Sequence, residues 1–215
     1  MPFTFPSLYP ILDVLIFPAT GRAEFLHSLA TELADAGVTL LEYRNKTGSD
    51  AELLADAALL RTALPAGRVK LILDDRVDLV DQTGFDGVHV DTGDASPTEA
   101  RSLLGTDRII GTFGGGEALI ERVLSEPADY FSIGAVYPTT TKQTTRPPIG
   151  PEGVRRLRRQ AGPAPTLVAV GGITLATAAE VLAAGATTIA VSAAIFRHAN
   201  PAAEFRKWME ELSGL

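Results

Sequence analysis

With 215 residues, 46% hydrophobic and 21% charged side chains, the chain has the size and composition of one globular domain spanning 1–215. A formal net charge of −7 argues against a nucleic-acid partner, whose phosphates call for a basic surface. The lack of cysteine removes disulfide and thiol chemistry and fits a cytoplasmic setting. No apolar run approaches the ~18–20 residues of a membrane span, and the first ten residues lack the basic-then-apolar order of a signal peptide.

Apolar, β-branched runs recur along the chain at Tyr9–Phe17, Val38–Tyr43, Val69–Leu73, Gly87–Val90, Arg108–Phe113, Tyr130–Val136, Thr166–Val170 and Thr188–Ser192. Helical spacing fills the intervals. Phe25, Leu29 and Leu33 make one stripe, with Ala36 just beyond, and Leu53, Leu54, Ala57, Ala58 and Leu64 a second. Leu119, Ile120, Val123 and Leu124 mark a third, and Ala178, Val181 and Leu182 a fourth. Gly37 and Gly185 sit where helices should stop, Ser96-Pro97 where one should start, and Ser49 with Glu52 has capping-box spacing. Eight β/α units in this length predict an α/β fold, the closed (β/α)8 TIM barrel, rather than an open sheet. The runs are continuously apolar, as expected of strands covered on both faces.

Such barrels carry their chemistry at the carboxyl ends of the strands. The second run ends in Glu42, Arg44 and Lys46, the third in Asp74, Asp75 and Arg76, and the fourth leads to Asp91 and Asp94. The fifth ends in Thr112 and Gly114-Gly115-Gly116, the sixth in Thr139, Thr141 and Lys142, the seventh in Gly171-Gly172, and the eighth in Val191, Ser192 and Ala193. Acids on adjacent strand ends can share a hard cation such as Mg²⁺, which takes one or two carboxylates plus substrate phosphate oxygens. Helix capping is the simpler role for any one of them. Arg44, Lys46 and Lys142 suit a phosphate group. Glycines at the seventh and eighth strand ends let backbone N–H groups approach an anion, or serve only as tight turns. Thr139 and Thr141 alternate toward one side of the longest irregular stretch, Pro138–Gly150. His27, His89 and His198 read as surface or interior residues, and Arg155, Arg156, Arg158 and Arg159 as a solvated helix face.

These residues, in this order, resemble the thiamine phosphate synthase family over nearly the whole chain. Glu42-Tyr43-Arg44-Asn45-Lys46 stands where the family has Gln-x-Arg-x-Lys, and Asp74-Asp75-Arg76-Val77-Asp78 where it has Asn-Asp-Arg-Val-Asp. Asp86-Gly87-Val88-His89-Val90 with Asp94, Gly134 through Lys142, Val170-Gly171-Gly172-Ile173 and Val191-Ser192-Ala193 follow its pattern. The resemblance implies an enzyme that joins a hydroxymethylpyrimidine diphosphate to a thiazole phosphate, releasing pyrophosphate by dissociative, Mg²⁺-assisted displacement. It implies that Arg44, Lys46 and Lys142 hold the diphosphate and act in catalysis, with Glu42 and Asp74 beside them. Asp75 and Asp94 would bind the metal. Thr139, Thr141, Gly171, Gly172, Val191 and Ser192 would take the thiazole phosphate. The partners are then small phosphorylated molecules, with neither nucleic acid nor membrane, and the sequence admits a homodimer without requiring one.

Four positions depart from the family pattern: Glu42 for Gln, Asp74 for Asn, and Phe113 and Gly115 for Ser and His. They leave three other expectations to weigh: a thiazole tautomerase, a non-catalytic binder of thiazole phosphate or thiamine phosphate, and a phosphosugar isomerase on the same barrel.

Overall fold

Eight parallel strands pair in sequence order, and the last returns to the first. A computed structural model describes residues 3–91, 93–115, 122–139 and 146–214. Its strands are β1 (Leu8–Asp13), β2 (Leu40–Arg44), β3 (Lys70–Asp74), β4 (Gly87–Val90), β5 (Ile109–Gly115), β6 (Tyr130–Gly134), β7 (Leu167–Val170) and β8 (Thr188–Val191). The described helices are α1 (Arg22–Asp35), α2 (Asp50–Ala63), α3 (Val80–Thr83), α4 (Pro97–Leu104), α5 (Gly150–Ala161), α6 (Leu175–Ala183), α7 (Ala193–Phe196) and α8 (Pro201–Ser213). The expected closed barrel is therefore the observed architecture.

Local chemistry sets the boundaries. Strand β1 stops at Asp13 rather than running to Phe17, because the Asp13 carboxylate accepts the Leu15 N–H at 3.0 Å and starts a 3-10 turn over Val14–Ile16. Strand β6 ends at Gly134, two residues short of the apolar run. Ser49 opens α2 and Ser96 opens α4, each through a complete capping box. Gly37 and Gly185 follow their helices at φ of +88° and +110°, where a side chain would be strained.

Two hydrophobic layers result. The outer one lies between strands and helices. Helix α1 contributes Leu26, Leu29, Ala30 and Leu33, each buried leucine stabilising by about 1.5–3 kcal/mol. Phe25, expected in that stripe, is only partly buried and meets the Phe17 ring edge-on at 5.6 Å. In α2 the buried face is Leu53, Asp56, Ala57 and Leu60. Ala58 is exposed, so the predicted stripe was set one step off. Leu119 and Ile120 of the third stripe lie outside the described residues.

The inner layer fills the barrel. Tyr9, Leu40, Ile72, Ile109, Tyr130, Val168 and Ala190 form a cluster of their own, with Phe3 and Phe5 packed beneath it. Along each strand the residue two positions further also points inward. That parity brings Ile11, Glu42, Asp74, His89, Ser132 and Val170 into one cavity above the cluster. Among the described residues no helix is long and apolar enough to cross a membrane.

Candidate active site

The cavity opens at the carboxyl ends of the strands and has a volume of about 910 Å³, within the range of small-molecule sites. Nine of the predicted site residues line it: Glu42, Arg44, Lys46, Asp74, Thr139, Gly171, Gly172, Val191 and Ser192. Asp75 and Asp94 stand at the rim beside Lys46. Thr141 and Lys142 lie outside the described residues, as does Gly116.

On one wall, strands β1 to β4 gather charge. Arg44 forms an ion pair with the buried Asp13, and its Nε lies 3.4 Å from Asp74 Oδ2. Lys46 Nζ is 3.2 Å from the same oxygen and also pairs with Asp75. Burial pulls the Lys46 ammonium toward neutrality, but the charges of Asp74 and then Asp75 outweigh it, and its pKa is raised. Burial raises the Asp74 carboxyl to about 6, with Lys46 opposing and Asp75 adding to the rise.

Asp75 follows β3 with φ of +66°, a left-handed conformation that Asp tolerates better than most residues. In regular strand alternation its side chain would oppose that of Asp74. The left-handed turn instead carries its carboxylate to Lys46 and to Asp94. The Asp94 carboxyl is raised by burial and then by this contact with Asp75, while the Asp91 N–H donates to it at 3.0 Å. Asp75 Oδ1 is buried with no hydrogen-bond donor. Among the described residues no group of three or more His, Asp or Glu is placed to hold a metal, so any cation here would rest on this pair plus ligand oxygens.

The opposite wall belongs to β6, β7 and β8. Gly171 and Gly172 have φ of +96° and +66°, and a Cβ on Gly172 would fall 2.4 Å from the Pro138 carbonyl oxygen. The close approach these glycines permit is therefore first to the chain's own segment Ala135–Pro138, which leads to Thr139. Ser192 precedes α7 but makes no capping hydrogen bond with its side chain, and it lines the cavity. Phe113 also lines it, with the Arg146 guanidinium 5.8 Å from its ring centroid. The ladder slips between Phe113 and Gly115, where the family pattern differs.

The floor holds residues that the sequence reading missed. Tyr9 donates its hydroxyl to Glu42 Oε2 at 2.8 Å and lies 2.9 Å from the Tyr130 hydroxyl. Tyr130 meets His89 Nδ1 at 3.1 Å, and His89 Nε2 is 3.5 Å from Ser132 Oγ. His89 is thus a hydrogen-bonded interior residue, as expected, yet it also lines the cavity. The missing signal was strand parity: Tyr9 and Tyr130 lie on the same faces as Asp13 and Ser132. The Arg155–Arg159 run needs correcting as well. Arg158 is not a solvated side chain, since it donates to the carbonyls of Gly162, Pro165 and Gly185 and to Thr187 at the barrel's other end.

A closed parallel barrel with one charged cavity at its carboxyl mouth defines a (β/α)8-barrel enzyme. The profile of the family described as "Thiamine monophosphate synthase" matches residues 13–195, and the chain belongs to that family. It is 39% identical over 188 residues to a thiamine-phosphate synthase of Koribacter versatilis, covering 87% of this chain and 88% of that one. The corresponding enzyme of Agrobacterium fabrum is 38% identical over 192 residues, covering 88% and 87%. The solved thiamine phosphate pyrophosphorylase from Pyrococcus furiosus superposes with a TM-score of 0.83 at 25% identity, covering 97% and 96%. A 3-hexulose-6-phosphate synthase shares the fold alone, at a TM-score of 0.68 and 19% identity.

Proposed function

We propose that this enzyme is a thiamine-phosphate synthase that works by leaving-group stabilisation across the two walls of one cavity. The observation that carries the reading is the joint placement of Arg44 and Lys46 on one wall and of Gly171, Gly172, Val191 and Ser192 on the other. A hydroxymethylpyrimidine diphosphate would lie against the first wall and a thiazole phosphate against the second.

The bond between the pyrimidine methylene and the diphosphate oxygen breaks, and its electron pair leaves with pyrophosphate. The thiazole nitrogen then supplies the pair that forms the new carbon–nitrogen bond, giving thiamine phosphate. Arg44 and Lys46 stabilise the charge that grows on the leaving diphosphate, with Lys142 as a third cation. Thr139, Thr141, Gly171, Gly172, Val191 and Ser192 hold the thiazole phosphate so that its ring nitrogen faces the methylene. No protein nucleophile is needed.

Mg²⁺ belongs to the same proposal, held by Asp75 and Asp94. The donorless buried oxygen of Asp75 and the facing Asp94 carboxyl fit a cation better than they fit each other. When bound, the metal would add positive charge to the departing pyrophosphate. The reading places the enzyme in the cytoplasm.

The test supplies both substrates with Mg²⁺ and follows thiamine phosphate by mass spectrometry alongside pyrophosphate release. Equal amounts of both products are expected, with loss on chelation and recovery on adding Mg²⁺. Thiazole phosphate binding without any thiamine phosphate would overturn the synthase in favour of a binder.

A further inference from the structure

We propose that Glu42 reads the pyrimidine ring with a neutral carboxyl group, offering a donor and an acceptor to a ring nitrogen and its neighbouring amino group. The inference rests on the synthase reading above and goes beyond it, because it assigns the protonation state in which the enzyme recognises its substrate.

Glu42 points inward from β2, is only 4% exposed, and lines the cavity. Its Oε2 accepts the Tyr9 hydroxyl at 2.8 Å, and Oε1 has no hydrogen-bond partner among the described residues. A proton on this carboxyl therefore sits on Oε1, the oxygen left for a ligand. Oε2 keeps a second lone pair as an acceptor. Tyr130 and His89 hold Tyr9 in this donating role, through contacts of 2.9 and 3.1 Å.

The groups around Glu42 favour the neutral form. Tyr9 and Asp13 face it from β1, Arg44 and Lys46 from β2 and its end, Asp74 from β3, His89 from β4 and Tyr130 from β6. The two cations are already paired, Arg44 with Asp13 and Lys46 with Asp74 and Asp75. Burial pushes the Glu42 carboxyl up to about 8, and the Asp74 charge adds to this. The Tyr9 hydrogen bond, Arg44 and Lys46 act in the opposite direction. An arriving diphosphate brings further negative charge to the same wall, so the proton stays.

An aminopyrimidine presents a ring-nitrogen acceptor beside an amino donor. An ionised carboxylate offers only acceptors, and one of them would face the ring lone pair, which costs binding. A neutral carboxyl offers the pattern of an amide. Glu42 can thus occupy a position where the family pattern has Gln without adding charge beside a diphosphate.

The experiment measures KM for the pyrimidine diphosphate and for the thiazole phosphate from pH 6 to 9.5, in wild type and Glu42→Gln. For a group titrating near pH 8, KM for the pyrimidine diphosphate should rise about tenfold between pH 7 and 9, since one pH unit above the pKa leaves roughly a tenth of the group protonated. KM for the thiazole phosphate should stay level, which guards against a general loss of fold. Glu42→Gln should flatten the pyrimidine profile. Carboxyl ¹³C NMR should show one glutamate titrating far above the usual range in wild type and missing from the variant. A level wild-type profile, an equal rise in Glu42→Gln, or a Glu42 signal titrating in the ordinary carboxylate range overturns this inference alone. If no thiamine phosphate forms at any pH, the synthase reading falls and takes this inference with it.

Discussion

Asp94 is repelled by its own neighbour: burial and the contact with Asp75 both raise its proton affinity. A side chain kept in such a contact contributes little to stability, and exposed positions without special partners usually shift it by no more than about 0.5 kcal/mol. Asp94→Ala should therefore leave the thermal midpoint unchanged or slightly higher. The same change should raise the Mg²⁺ concentration needed for half-maximal rate by about tenfold or more, the usual loss when a metal ligand or its close support is removed. Metal titration of the rate together with a melting curve checks both halves. A normal Mg²⁺ requirement in the variant would remove Asp94 from the metal site. The rim acids were legible in the sequence because they close apolar runs. What was not legible is the left-handed backbone at Asp75, since nothing in Asp74-Asp75-Arg76 marks which of two adjacent acids turns back toward its neighbour.

Three helices end in the same device. Arg61 in α2 donates to the carbonyls of Leu64 and Val69 and to Asp86, which in turn accepts the Leu71 N–H. Arg101 in α4 donates to the carbonyls of Gly105 and Arg108 and to Asp129, which accepts the Ile110 N–H. Arg158 in α5 does the same with Gly162, Pro165 and Thr187, and Thr187 accepts the Leu167 N–H at 3.2 Å. Each arginine ties a helix end to the strand that follows it and to the turn before the next strand. Charged hydrogen bonds of this kind contribute about 1.5–3 kcal/mol in favourable cases. Arg158→Ala should cost about 2–3 kcal/mol in urea unfolding, whereas Arg155→Ala, whose side chain reaches only the exposed Glu152 at 3.3 Å, should stay within about 0.5 kcal/mol. Equal effects would reduce the Arg158 contacts to surface decoration. The strands and helix starts could be read in advance because apolar runs and capping residues are local signals. These arginines could not, because their partners lie 25 to 29 residues away with no marker between.

Across the whole barrel the two ends divide the work. Function gathers at the carboxyl mouth, and the amino end is closed by the chain that precedes β1. Phe5 stacks obliquely on Tyr130 with ring centroids 5.2 Å apart, and Phe3 meets Phe5 edge-on at 5.1 Å. Both support the interior cluster from below, and Tyr130 in turn reaches up to Tyr9 and His89. The interior is thus one continuous column from aromatic plug to charged mouth, with the tyrosine hydroxyls at the change from apolar to polar. Continuous apolar runs concealed this column from the sequence, because strands covered on both faces show no alternation to read. Phe5 is partly buried, so truncating it should cost less than the 3–5 kcal/mol of a core phenylalanine, at about 2 kcal/mol. At this chain length that lowers the midpoint of thermal unfolding by about 4–8 °C. Tyr130 keeps its hydroxyl partners, so KM for both substrates should remain within about twofold of wild type in Phe5→Ala. A melting curve and steady-state kinetics on the same preparation decide the matter. A large rise in KM for the pyrimidine diphosphate would mean that the plug sets the height of the tyrosine pair, and that the two ends of the barrel are not independent.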